Sequence, residues 1–165
     1  MILVTLANGF EEIEALTPVD LLRRQNMNVK TVAIGENPVT GSHGITVLAD
    51  LIADEVELDE VEHLILPGGM PGTLGLDSSP FVDRVIEAVK EKGGHIGAIC
   101  AAPLILGRRG LLVGKRATCF PGFEDELKDA QITKAEVVTD GNITTACGME
   151  AALPFARELC RILVK

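Results

Sequence analysis

The chain has 165 residues, 47% of them hydrophobic and 24% charged. That balance excludes a disordered or collagen-like polymer and leaves enough apolar surface for a core that needs no staple. With 15 Lys and Arg against 24 Asp and Glu, the net charge is -9, which disfavours nucleic acid and anionic membranes as partners.

In chain order, the first strand is expected at Ile2–Leu6, an apolar run with neither the basic region of a signal peptide nor the length of a membrane span. A helical pattern follows over Phe10–Arg24, in which Pro18 marks a kink or a fresh start. Further strands are expected at Val29–Ile34, Leu64–Leu66, Ile96–Ile99 and Arg116–Thr118, most of them apolar throughout, as in sheets covered on both faces. Thr40–Asp50, with Gly41-Ser42-His43-Gly44 inside it, predicts a hairpin or an edge excursion. Helices are expected over Ser79–Lys92, Ala102–Arg109 and Met149–Leu163; the first of these has Ser78 or Ser79 as cap, Pro80 at its first position and Gly93-Gly94 as its stop. Val137–Thr139 and Ile143–Ala146 flank Asp140-Gly141-Asn142, a hairpin turn signal. Together these elements predict one α/β domain over residues 1–165, a mostly parallel sheet with helices on both faces. The setting is expected to be cytoplasmic, with Cys100, Cys119, Cys147 and Cys160 as free thiols. Their spacing holds no CxxC pair, so no metal is expected.

In such sheets, sites form beyond the carboxyl ends of the strands. Three segments should meet there: Asn8-Gly9-Phe10-Glu11-Glu12-Ile13-Glu14, Pro67-Gly68-Gly69 and Cys100-Ala101-Ala102-Pro103. Cys100 sits where a strand hands over to a helix among small residues, the layout of a nucleophile elbow. The positive end of the helix dipole would favour its thiolate. Pro67-Gly68-Gly69 reads equally as a plain turn or as a source of an amide for an oxyanion, partnered by the amide of Ala101. Glu11 and Glu14 share a helix face; the spacing alone does not say which acid serves the thiol. His95 and His63 begin their strands, at the opposite rim, and His43 lies on a loop of unknown path. All three are expected at the surface, leaving base chemistry to a carboxylate.

Asn8-Gly9-Phe10-Glu11-Glu12-Ile13-Glu14 with Pro18-Val19-Asp20, then Leu66-Pro67-Gly68-Gly69, then Ala98-Ile99-Cys100-Ala101-Ala102-Pro103, resembles the ThiJ/PfpI superfamily, and within it the parkinsonism-associated protein deglycase branch. The resemblance covers essentially the whole chain. It implies a flavodoxin-like three-layer sandwich, a homodimer, a reactive cysteine at Cys100, its protonated acid partner at Glu14, and oxyanion amides at Gly69 and Ala101. Asn8, Gly68, Cys119, Phe120 and Gly148 are expected to line the pocket. The activity implied acts without a cofactor on small reactive carbonyls or glycated proteins; the alternative is a non-catalytic cysteine sensor of oxidation or a chaperone-like protein. Ala101 stands where the protease-like branch carries a histidine, which disfavours a peptidase, and the amidotransferase pattern is missing. Phe120 replaces a pocket histidine of some members. Ala146-Cys147-Gly148-Met149-Glu150 replaces a Ser-Arg-Gly-Pro-Gly pattern and its arginine.

Overall fold

Residues 1–164 are described by a computed structural model. Strand β1 (Ile2–Leu6) leads into helix α1 (Glu12–Arg24) and β2 (Val29–Ala33); β3 (Val39–Thr40), β4 (Thr46–Val47) and β5 (Leu51–Ile52) are short. Then come β6 (His63–Leu66), α2 (Gly72–Asp77), α3 (Pro80–Glu91), β7 (Ile96–Ile99), α4 (Pro103–Arg108), β8 (Arg116–Ala117), β9 (Gln131–Ile132), β10 (Val137–Asp140), β11 (Ile143–Ala146) and α5 (Ala152–Leu163). The main sheet has the order β10-β11-β7-β6-β1-β2-β5, and every pair in it is parallel except the β10–β11 hairpin.

Successive side chains of a strand point to opposite faces, so a strand covered on both sides is mostly apolar along its length. In β1, Ile2, Val4 and Leu6 join Ala15, Val19, Leu22, Phe155 and Leu159 of α1 and α5. Leu3 faces the other way and joins Val82, Val85, Ile86 and Val89 of α3 together with Leu104 and Ile105 of α4. These two clusters make the three layers. Gly97 of β7 matters to the first of them: a Cβ there would lie 2.9 Å from Cζ of Phe155, so the bare glycine lets the ring sit on the sheet.

The fold departs from the sequence reading at several elements. α2 was not expected, because Gly72 and Gly75 each weaken a helix by about 1 kcal/mol relative to alanine and no side chain caps its start. The strand expected at Arg116–Thr118 lies outside the main sheet and pairs in parallel with β9; the Thr118 amide donates to Thr145 Oγ1 at 3.0 Å instead of extending the ladder. α1 begins at Glu12 and runs on through Pro18. His95 is not at the surface. It is buried, with Nε2 2.8 Å from Thr144 Oγ1 on the neighbouring strand β11, and burial pulls its pKa down to about 4. Among the described residues, no helix is long and apolar enough to cross a membrane.

Candidate functional site

Parallel order along β1, β6, β7 and β11 brings the carboxyl ends of four strands to one rim, and backbone bonds lock the loops that leave them. The Glu11 amide donates to Gly68 O at 2.9 Å, tying the start of α1 to the loop after β6. The Cys100 amide donates to Ala146 O at 2.9 Å, and the Phe120 amide to Cys100 O at 2.8 Å. Cys100 has φ +64°, a left-handed conformation rarely adopted by a side-chain-bearing residue, so the elbow is strained and held by its surroundings.

Glu14 is fully buried and accepts the Gly68 amide on Oε2 at 2.9 Å. A Cβ on Gly68 would fall 2.6 Å from both Cys100 Cβ and Glu14 Oε2, so a side chain at that position would wedge the acid and the thiol apart. Cys100 Cβ and Glu14 Oε2 thus flank Gly68, and the amides of Ala101 and Gly69 favour charge on the Cys100 sulfur. Glu14 Oε1 is buried without a hydrogen-bond partner among the described residues. A neutral carboxyl tolerates that better than a carboxylate does.

Burial accordingly pushes Glu14 up to about 7, against the opposing pull of its hydrogen bonds to Cys100 and Gly68. Cys100 departs from the thiolate expectation. Burial, then the Glu14 charge, push its thiol up to about 12, and the two amides offset only part of this. Between these values the pair carries one negative charge and one shared proton.

This has a consequence for stability. A group that keeps its proton up to about 7 when folded, against 4.5 for an ordinary glutamate, binds more protons in the native state between those pH values. Glu14's own contribution to stability therefore falls as pH rises from 4.5 to 7, by about 3 kcal/mol in all, while buried His95, held down near 4, contributes a rise over much of the same range. Urea unfolding of the wild type and Glu14→Gln over this range is expected to show the wild type losing stability relative to the variant as pH rises, the His95 contribution being common to both. Equal slopes would refute the burial account.

A cavity of about 620 Å³ is lined by Cys119, Phe120, Lys134, Cys147, Gly148 and Met149 among others, with neither Glu14 nor Cys100 in its lining. Three of the expected pocket residues, Cys119, Phe120 and Gly148, meet there; the Phe120 ring packs over Gly148, where a Cβ would approach to 3.0 Å. Gly68 lies beneath the acid–thiol pair instead. Asn8 is exposed, and its Oδ1 accepts the Thr40 amide at 2.9 Å, so it anchors the β3–β4 hairpin.

Glu11, Glu12 and His43 hold potential metal-ligand atoms within 4.8 Å of one another. Buried Glu12 is already engaged: its Oε1 accepts the His43 amide at 2.8 Å and the Ile45 amide at 3.3 Å. The cluster thus pins the hairpin to α1. His43 is exposed, and its pKa is raised by the hydrogen bond to Glu12 and the charge of Glu11. The His63 ring accepts the His95 amide at 2.9 Å. None of the three histidines bonds to Cys100 among the described residues.

Residues 1–162 match the profile of the DJ-1/PfpI family. The chain belongs to that family. Among curated DJ-1/PfpI relatives, Drosophila melanogaster protein dj-1beta is 33% identical over 164 residues, covering 98% of this chain and 88% of the relative. A Pyrococcus abyssi protein named a deglycase is 32% identical over 168 residues, with 98% of both chains covered. An Arabidopsis thaliana DJ-1 homologue is 37% identical over 157 residues, but this chain spans only 36% of its length. Oxidized Toxoplasma gondii DJ-1 superposes with a TM-score of 0.93 at 33% identity, covering 98% of this chain and 89% of the other.

Sequence reasoning missed the Gly68 amide as the anchor of Glu14, and it weighed Cys147 near the pocket but favoured a packing role for it. The glycine pair after β6 was the available signal for the first. For the second the end of a late strand was the signal, but adjacency to Cys100 depends on the pairing of β11 with β7, which is a tertiary fact.

Proposed function

We propose that this DJ-1/PfpI protein is a cysteine-dependent, cofactor-independent enzyme acting on small reactive carbonyls, of the glyoxalase or protein deglycase type. The observation that carries the reading is buried Glu14 set beside Cys100 across Gly68, with the Ala101 and Gly69 amides favouring charge on the sulfur. Relatives named deglycases, similar over nearly the whole chain, support it.

With a thiol held up near 12, the sulfur needs a base, and a carboxyl near 7 is matched to accept a proton at neutral pH. As sulfur bonds to the aldehyde carbon of a 2-oxoaldehyde, the thiol proton passes to Glu14. The former carbonyl oxygen becomes an alkoxide facing the Gly69 and Ala101 amides. Glu14 then returns its proton while the hemithioacetal rearranges through an enediol to a thioester. Water hydrolyses the thioester to a hydroxy acid and restores the thiol.

The same reading takes residues 1–165 as one domain, Lys165 lying outside the described residues, acting in the cytoplasm as a homodimer. The exposed side chains of Ile13, Ile45 and Leu153 share an apolar groove suited to being covered by a second copy.

Methylglyoxal loss and lactate gain measured for the wild type and Cys100→Ala test the proposal. Turnover is expected to vanish in the variant; equal rates in the two proteins would end this reading.

A further inference from the structure

Cys147 has no part in the chemistry above, yet it stands next to the elbow. The last parallel pair between β7 and β11 is Ile99 with Ala146, and the Cys100 amide continues that ladder by donating to Ala146 O at 2.9 Å. On its other side β11 also runs one residue further, the Cys147 amide donating to Glu136 O at 3.0 Å. Cys100 and Cys147 therefore follow each other across the end of this ladder, where the Cys100 carbonyl turns away to the Phe120 amide. Adjacent strands lie about 4.8 Å apart, inside the roughly 4.4–6.8 Å Cα separation that a disulfide spans.

Both residues are partly exposed, and both pack against the cluster beneath α1 and α5. Cys119, which lines the cavity together with Cys147 and feels its charge, is the competing partner, but it is buried and belongs to the cluster on the opposite face of the sheet. Cys160 lies near the far end of α5, a helix that leaves β11 at the rim and runs back towards the strand starts. The Glu14 charge reaches Cys147 as well as Cys100, in keeping with their proximity.

We propose that Cys147 is the resolving partner of Cys100, closing an oxidised Cys100 into an intramolecular disulfide. A hydroperoxide first gives one oxygen to the Cys100 sulfur: its O–O bond breaks, an S–O bond forms, sulfur is oxidised by two electrons and the peroxide leaves as an alcohol or water. The Cys147 thiolate then attacks that sulfur. The S–S bond forms, the S–O bond breaks, and hydroxide departs, taking the Cys147 proton as water. A dithiol reductant restores both thiols by exchange and is itself oxidised to a disulfide. The site thereby gains a reversible oxidation state in place of terminal sulfinic acid.

The test uses the intact protein treated with stoichiometric hydrogen peroxide, its free thiols then blocked with iodoacetamide, and peptide mass mapping without reduction. The expected main product is a Cys100–Cys147 linked peptide that dithiothreitol removes, present in the wild type and in Cys119→Ser. In Cys147→Ser, Cys100 should instead react with dimedone, which also reports an intact elbow, and under excess peroxide should reach sulfinic acid several-fold faster than in the wild type. A disulfide through Cys119 instead, or equal sulfinic acid in the wild type and Cys147→Ser, would overturn the proposal. No arm depends on carbonyl turnover, so the redox result and the enzymatic reading stand or fall separately.

Discussion

Replacing Glu14 by Gln is expected to slow carbonyl turnover by about 10²–10⁴-fold, the range lost with a positioned acid–base group. Glutamine is nearly isosteric and its amide oxygen can still accept the Gly68 N–H, so the loop after β6 keeps its anchor. What it cannot do is take the thiol proton. The wild-type rate is expected to rise with pH through about 7, where Glu14 loses its own proton, and the variant should lack that rise. One further readout separates a lost base from a damaged site. The Glu14 charge is among the causes holding Cys100 up near 12, so its removal should lower the thiol pKa and speed iodoacetamide alkylation of Cys100 near neutral pH. Slower turnover together with faster alkylation is the expected signature. Turnover within a few-fold of wild type, with an unchanged pH profile, would remove Glu14 from the mechanism.

Phe155→Ala is expected to destabilise the protein by about 3–5 kcal/mol, a large share of the stability of an ordinary domain. The ring is fully buried and sits against Gly97, between α5 and the strand that ends in Cys100. No neighbour on β7 can fill the space, because the facing position has no side chain. Urea denaturation gives the measurement, and Phe155→Leu, which leaves a smaller void, should lose less. A loss below about 1 kcal/mol would mean that the layer can collapse around the missing ring.

Much of the architecture was legible before any coordinates. The apolar runs at Ile2–Leu6, Leu64–Leu66 and Ile96–Ile99 all became inner strands, since a strand covered on both faces has no position where a polar side chain is inexpensive. The Pro80 start and Gly93-Gly94 stop bracketed α3 to within a residue or so. α2 escaped notice because its glycines carry no helical signal and tertiary contacts hold it. β8 was misassigned to the main sheet because a short β-branched run does not disclose its partner.

The sequence by itself determined the fold class and the convergence of the segments holding Glu11 to Glu14, Gly68-Gly69 and Cys100 at one rim, since parallel strand–helix units deliver every strand's carboxyl end to the same side, while the choice of Glu14 came from the family resemblance. Only the tertiary structure decided the protonation of that rim. Whether a thiol or a carboxyl keeps its proton depends on desolvation and on charges a few ångströms away, and those exist only once α1 closes over β6 and β7. The same holds for the burial of His95 under α5 and for the neighbourhood of Cys147 and Cys100, residues far apart along the chain that strand register alone makes adjacent.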